Sequence, residues 1–268
     1  MEDAHEINKR WWNEVTPVHT RSEFYDVEGF LGGRNTLGAI ERNAVGDVAG
    51  KRLLHLQCHF GMDSMSWARL GADVTGVDFS SEAIANAKEL AERAGLSDSV
   101  RFVEADVTKV GVVNGGGHDV IFTSFGTIVW LDSLDNWAGT IAENLARNGV
   151  FYFLDSHPTI MLFDEETSDF RIRYDYFHQE EALFEPAGAS DYADATYTIQ
   201  SESRSFSWPT QDIFGALERK GLTVTDVREY PFGAWPQFPD MEKHDDGYWY
   251  RTADAKSLPI LLGFKARW

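Results

Sequence analysis

The chain has 268 residues, 43% of them hydrophobic, enough for one large domain with an insertion around a sizeable core. Its net charge of −19 repels phosphate backbones, which excludes nucleic acid as the expected partner. The single cysteine, Cys58, excludes an intrachain disulfide and a cysteine-built zinc site.

The first 50 residues read as a helical lead-in. "DAHEINKRWWNEV" forms a short helix, "EGFLGGRN" a bend, and Asn35 or Thr36 caps a second helix that runs to Asn43. The opening "MEDAHEINKRWW" lacks the basic start and apolar stretch of a secretory signal. No apolar run reaches the roughly 20 residues that cross a bilayer. The expectation is a cytoplasmic protein with no membrane partner.

From residue 51 strands and helices alternate. "KRLLHLQ" (51–57) reads as a buried strand, "MDSMSWARLG" (62–71) as a helix and "ADVTGVDF" (72–79) as the next strand. "SSEAIANAKELAERAG" (80–95) is a helix capped by Ser80 or Ser81 and stopped by Gly95. "SVRFVEAD" (99–106) and "HDVIFTSF" (118–125) are strands, "SLDNWAGTIAENLARNG" (133–149) a helix and "VFYFLDSHP" (150–158) the fifth strand. This rhythm implies an α/β fold with a doubly wound, mostly parallel sheet, whose ligand sits beyond the carboxyl ends of the strands. Most polar residues of these runs fall at those ends: 57–61, Asp78, Asp106, 122–126 and 155–157.

The rhythm breaks over 159–207, where strand-like alternation in "RIRYDYFH" and "TYTIQSESRSF" comes with eleven acidic and three basic residues. That segment reads as an inserted β-rich flap. "PTQDIFGALERKG" then resumes as a helix and "LTVTDVREY" as a strand; a long loop (231–256) and the apolar strand "SLPILLGFKARW" close the chain. The expected organisation is a lid over 1–50, a cofactor-binding core over 51–158, a substrate flap over 159–207 and the remainder of the core over 208–268.

The turn "QCHFGMDS" decides the cofactor class. A dinucleotide loop needs G-x-G-x-x-G so that backbone can approach a pyrophosphate, and Gln57 and His59 would crowd it. S-adenosylmethionine has no phosphate and tolerates larger loop side chains. It wants a carboxylate after the second strand for its ribose hydroxyls, where Asp78 stands, and a polar group after the third, where Asp106 stands.

The stretch "LLHLQCHFGMDSMSWARLGADVTGVDFSSEAIANAKELA" resembles the first two motifs of class I S-adenosylmethionine-dependent methyltransferases. "HLQCHFGMDS" with "WARLGADVTGVDFS" is similar to a bacterial small-molecule subgroup in which D-x-G-x-G-x-G becomes H-L-Q-C-H-F-G. "VRFVEADV", "HDVIFTSFG" and "LARNGVFYFLDSHP" resemble the third to fifth strand regions, and the terminal segments resemble a closing antiparallel hairpin. The resemblance implies a seven-stranded Rossmann-like sheet, methyl transfer from S-adenosylmethionine and S-adenosylhomocysteine as product. It implies that the loop of Gln57, Cys58, His59 and Gly61 holds the methionine tail. Asp78 would hold the ribose and Phe79 pack on the adenine. Asp106 and Val107 would read the adenine edge, and Thr123 and Ser124 line the sulfonium. The acid that usually opens the first motif is His55 here, so another acid or a main-chain carbonyl must meet the cofactor amine.

The acceptor side is marked by aromatic residues outside the sheet. Trp12, His19, Tyr25, Arg34, Trp130 and Tyr174 are the expected acceptor-binding residues, forming walls suited to an aromatic or apolar small molecule. Methyl transfer needs alignment and a dry site, and a base only for an acceptor proton of high pKa. His157 is the first base candidate, followed by Asp155 and Tyr25, with His19 and His178 further alternatives. Cys58 reads as a small buried residue and Asp63 as a helix-start charge. An Asn/Asp-Pro-Pro-aromatic run, common where nucleobase or glutamine nitrogens are methylated, is absent from "FTSFG", and no metal is expected. The expected assembly is a monomer or homodimer. The alternatives are a non-catalytic protein that binds S-adenosylmethionine or S-adenosylhomocysteine and, further off, a nicotinamide oxidoreductase.

Overall fold

The computed structural model describes residues 3–252 and 258–268; the end of the 231–256 loop and Ser257, first residue of the expected closing strand, lie outside them. Seven strands form one sheet in the order β3-β2-β1-β4-β5-β11-β8. They are β1 (Arg52–Leu56), β2 (Asp73–Asp78), β3 (Val100–Glu104), β4 (His118–Ser124), β5 (Leu145–Ser156), β8 (Thr223–Tyr230) and β11 (Leu261–Arg267). The first five pair in parallel, while β11 runs antiparallel to both β5 and β8. The chain moves outward from β1 in both directions, so β1 is the topological switch point, and a crevice opens beyond its carboxyl end.

Strand residues alternate between two faces, and each face has its own core. Leu53, Val74, Phe122 and Leu154 pack with Trp67 of α4 (Met62–Arg69) and with α5 (Ser81–Arg93). Leu54, Val77, Ile121 and Phe153 pack with Trp137 of α6 (Leu134–Asn144) and with α7 (Thr210–Arg219). Each fully buried Leu or Phe side chain contributes on the order of 1.5–3 kcal/mol.

The lead-in forms α1 (Ala4–His19), α2 (Val27–Leu31) and α3 (Ala39–Val45). Asn13 of α1 accepts hydrogen bonds from Ser80 Oγ at 2.7 Å and Glu82 N at 3.2 Å, docking the lid on the start of α5. Asn8 and Glu14 of the same helix bind the flap: Asn8 exchanges two hydrogen bonds with the Arg204 backbone, and Glu14 accepts from Gln200 N. Trp11, Val15 and Ile199 bury one another at this seam, so lid and flap pack as one cover.

Three details differ from the sequence reading. The helix expected to 149 stops at Asn144, whose side chain binds Gly111 O, Thr140 O and Val113 N; these bonds turn the chain and let "LARNG" begin β5. The flap is mostly irregular and carries a three-residue ladder between β6 (Leu183–Glu185) and β7 (Ser203–Ser205) with two isolated bridges, Phe163 to Ile172 and Ser190 to Thr198. The loop after β8 holds a short hairpin of β9 (Met241–Lys243) and β10 (Trp249–Arg251).

Candidate functional site

The loop joining β1 to α4 takes the left-handed backbone conformation at every second residue, with φ of 56° at Gln57, 50° at His59 and 80° at Gly61. A Cβ at Gly61 would lie 2.4 Å from the Phe102 ring, so that position must be glycine. The other two are side chains in a glycine conformation, which costs roughly 1–2 kcal/mol each. Contacts offset this. Gln57 Nε2 donates to Thr127 O at 2.8 Å, tying the loop to the β4–α6 connection. The His59 ring reaches up into the lid, against Trp12 and Tyr25.

Asp78 ends β2 beside this loop. Its carboxylate accepts from His59 N at 2.8 Å and from Ser80 N at 2.9 Å. A carboxylate has about four lone-pair sites, so about two remain for a ligand. Burial pushes Asp78 up to about 6, against the pull of those backbone donors. Beyond it a narrow cleft is lined by His5, Phe79, Asp106, Val107 and Trp130. Burial opposes ionisation of Asp106, but Thr108 N and Oγ1, both at 2.8 Å, with Lys109 and His5 nearby, hold it below the usual carboxylate range.

On the other side of the loop stands Asp63, in the first turn of α4. It accepts from Thr36 Oγ1 at 2.6 Å and Ser124 Oγ at 3.3 Å, and burial raises its pKa. His55 is nearby, with Nδ1 2.8 Å from Ser64 Oγ and Nε2 buried without a partner. Burial drives its pKa down to about 3, so the ring is neutral. Arg34 pairs with Asp26 at 3.0 Å and donates to the carbonyls of Tyr25 and Asp26.

A cavity of about 1280 Å³ is lined from Asp78 across the 57–61 loop to Asp63 and on under the flap. Trp12, Tyr25, Arg34, Trp130 and Tyr174 line it, as do Gln57, Cys58, His59, Gly61, Phe79 and Ser124. Cys58 is buried, which pushes its thiol up and leaves it inert. Glu41, Trp235 and Tyr248 also line the cavity, from segments the sequence left unmarked. Burial raises Glu41 to about 7; its carboxylate accepts from Gly38 N and the Tyr248 hydroxyl.

Several expected residues stand elsewhere. His157 lies off the cavity wall: its Nε2 pairs with Glu229 at 3.0 Å and its Nδ1 accepts from Thr159 N, which corrects its reading as the base. Asp155 lines the cavity, but its carboxylate accepts from the backbone N–H of Gly126, Thr127 and Ile128 and from Thr127 Oγ1. It is the anchor of the β4–α6 connection, and its reading as a base is likewise corrected. Thr123 is buried within the sheet, off the cavity wall. His19 is wholly buried behind His59, 2.9 Å away, and its far nitrogen meets Asp191 of the flap at 3.0 Å; it reaches a ligand only through His59, not as a direct acceptor contact. His178 stacks at 3.8 Å on Trp208, which lines the cavity, and is not itself on the wall.

Residues 53–149 match the model of a family described as a methyltransferase domain. Two curated relatives are similar over less than half of the chain. The ubiquinone biosynthesis O-methyltransferase of Cronobacter sakazakii is 32% identical over 118 residues, 43% of each chain. That of Psychrobacter cryohalolentis is 29% identical over 126 residues, 45% of this chain and 49% of the relative. The chain thus spans about half the length of the curated relatives it matches. Among solved structures, an S-adenosylmethionine-dependent methyltransferase from Mesorhizobium loti superposes with a TM-score of 0.61 at 19% identity, over 89% of this chain and all of that one. The CcbJ methyltransferase from Streptomyces caelestis gives 0.60 at 14% identity, over 96% and 97%. The fold is therefore the seven-stranded, Rossmann-like fold of class I S-adenosylmethionine-dependent methyltransferases, and the match to the methyltransferase-domain model falls on the β1–β5 part of its sheet.

Proposed function

We propose that the protein is an S-adenosylmethionine-dependent methyltransferase acting on a small organic acceptor, of the subgroup whose first motif reads H-L-Q-C-H-F-G. The observation that carries this reading is Asp78. It is a buried carboxylate at the switch-point crevice, with two acceptor sites unspent, between the cleft of Phe79 and Asp106 on one side and an acid, Asp63, on the other. An elongated ligand with an adenine, a ribose diol and an amino-acid end fits that order of groups. Bound there, the cofactor supplies a methyl group on a sulfonium, open to in-line displacement.

The chain's own residues then divide the task. Asp78 accepts from the ribose hydroxyls. Phe79 covers the adenine, and Asp106 with the Val107 backbone reads its edge. Gln57, Cys58, His59 and Gly61 shape the floor under the sulfur, with Ser124 on the facing wall. Asp63 receives the cofactor's ammonium, offering a negative charge that the neutral His55 does not carry, and Arg34 faces the carboxylate. Trp12, Tyr25, Trp130 and Tyr174 enclose the acceptor, exclude water and present π-faces that favour a sulfonium.

The named relatives are O-methyltransferases, but the similarity to them covers less than half of this chain. It supports the cofactor and leaves O, N and C open as the attacking atom. The aromatic walls support an aromatic or apolar acceptor. The volume beyond the cofactor crevice argues against a protein that only senses the cofactor. Calorimetric titration with S-adenosylmethionine, S-adenosylhomocysteine and NAD⁺ tests the reading. The two sulfur ligands are expected to bind and NAD⁺ not to; a folded protein that binds neither sulfur ligand sinks it.

A further inference from the structure

We propose that Asp191, His19 and His59 form a proton relay that opens on the cavity through His59 and takes the proton an O–H or N–H acceptor gives up on methylation. This rests on the methyltransferase reading. The three side chains come from three segments: the flap, the end of α1 and the β1–α4 loop. His19 Nε2 lies 3.0 Å from Asp191 Oδ2, and His19 Nδ1 lies 2.9 Å from His59 Nε2. The His19 and Asp191 side chains are both fully buried. Asp191 is itself held in place, since its other oxygen accepts from Ala193 N and Asp194 N.

Only one end of this chain meets the cavity. His59 is on the cavity wall, and among the described residues its Nδ1 makes no hydrogen bond. Asp191 Oδ2 accepts from His19 Nε2–H. His19 Nδ1 is then an acceptor for His59 Nε2–H, which leaves the lone pair of His59 Nδ1 facing ligand space. A second observation, independent of these bonds, is the backbone. His59 sits at φ 50°, where glycine would be free of strain, so a side chain is kept there against a cost.

The proton balance closes. As the acceptor's bond to the methyl carbon forms, the S–CH₃ bond breaks and its electron pair stays on sulfur. The acceptor's proton passes to His59 Nδ1, and the proton on His59 Nε2 passes to His19 Nδ1. The result is a neutral His59 with its hydrogen on Nδ1 and an imidazolium at His19 paired with Asp191. The positive charge thus leaves the cavity for a buried carboxylate. A lone His59 would serve poorly, because burial and the neighbouring His19 hold its pKa well down. The other groups facing the relay do not supply charge of their own within the working range. The Tyr25 and Tyr192 hydroxyls bond each other and both stay protonated, while Trp12 and Phe60 are neutral. Asp78 touches His59 only through its backbone N–H. Asp63 is the remaining nearby acid, and it acts on Tyr25.

The test is long-range ¹H–¹⁵N NMR of the full chain with ¹⁵N-labelled histidines, titrated from pH 9 to 5. The expected result is one shared transition, in which His19 becomes imidazolium while His59 switches from the Nε2–H to the Nδ1–H tautomer. Asp191→Asn should move that midpoint to lower pH, a tenfold or greater rise in the acid constant. Fixed tautomers with independent titration, or ionisation of His59 itself, would overturn the relay. The switch is read on the wild type, so the test does not hang on the variant folding. His59→Gly, which relaxes the backbone, must abolish the shared transition and leave an ordinary His19 titration. Adding S-adenosylhomocysteine to the same sample separates the two claims. A tautomer switch with no response to that ligand sinks the methyltransferase reading and leaves the relay; a response without the switch does the reverse.

Discussion

Asp78→Asn is the perturbation whose outcome the geometry fixes most closely. The wild-type carboxylate spends one oxygen lone pair on His59 N at 2.8 Å and one on Ser80 N at 2.9 Å. The two that remain would each accept a ribose hydroxyl. A hydrogen bond to a charged group is worth about 1.5–3 kcal/mol, so weakening two of them costs about 3 kcal/mol or more and roughly 100-fold in Kd. The wild type carries a pH signature as well. Burial raises Asp78 to about 6, and only the ionised form offers both acceptor sites. Affinity for S-adenosylhomocysteine should therefore be flat above neutral pH and fall as pH drops through that value, towards tenfold per unit. The variant should be weak and lack this slope. Calorimetry at a series of pH values from 7.5 to 5 reads both effects. A variant within threefold of wild type, or a wild-type affinity that holds or rises on acidification, refutes the reasoning.

Asp63→Asn should weaken S-adenosylhomocysteine roughly 10- to 100-fold, the worth of one charge-assisted bond. It should leave 5′-methylthioadenosine, which lacks the amino-acid end, within about twofold; equal losses for both ligands would remove Asp63 from the ammonium site. Glu41 is raised from 4.5 to about 7, so its contribution to stability is full below its unfolded pKa and lost as pH rises through 7, amounting to about 3 kcal/mol. Urea unfolding at pH 5.5 and 8 should show about 2 kcal/mol of this loss, the rest having gone between the unfolded pKa and pH 5.5, and Glu41→Gln should remove it; identical pH slopes in the two proteins would contradict the assignment. Asp155→Ala strands three backbone N–H groups and a hydroxyl and should cost at least about 3 kcal/mol in denaturant unfolding. His157→Ala should leave S-adenosylhomocysteine affinity within twofold, and a large loss would return His157 to the site.

What the sequence made legible was what strand order alone decides. Asp78, Asp106 and the 57–61 loop follow from their position at the ends of β2, β3 and β1, because a parallel sheet delivers those ends to one crevice. Gln57 and His59 looked like departures from a glycine loop; the backbone shows that they keep the glycine conformation and add side-chain contacts to it. His157 was misread because the end of β5 points the chain at the crevice while the ring turns to Glu229 on β8, which lies beyond β11 in the sheet. Asp155 was misread because a carboxylate at a strand end looks the same whether it meets a ligand or three amides. Asp191 and Glu41 gave no signal at all. Asp191 sits in a flap without periodicity, 172 residues from its partner His19 in sequence, and Glu41 looks like one more helix-surface acid until Tyr248 folds over it. Asp63 was visible as a helix-start charge, and only the bonds to Thr36 and Ser124 show which way its carboxylate faces.

The most direct measurement of the central claim is a crystal structure with S-adenosylhomocysteine bound. The adenine is expected in the cleft between Phe79 and Asp106, the ribose on Asp78 and the amino group on Asp63, with the sulfur open to the aromatic cavity under the flap. A ligand bound with its sulfur sealed from that cavity, or bound away from Asp78, would contradict a methyltransferase built on this site.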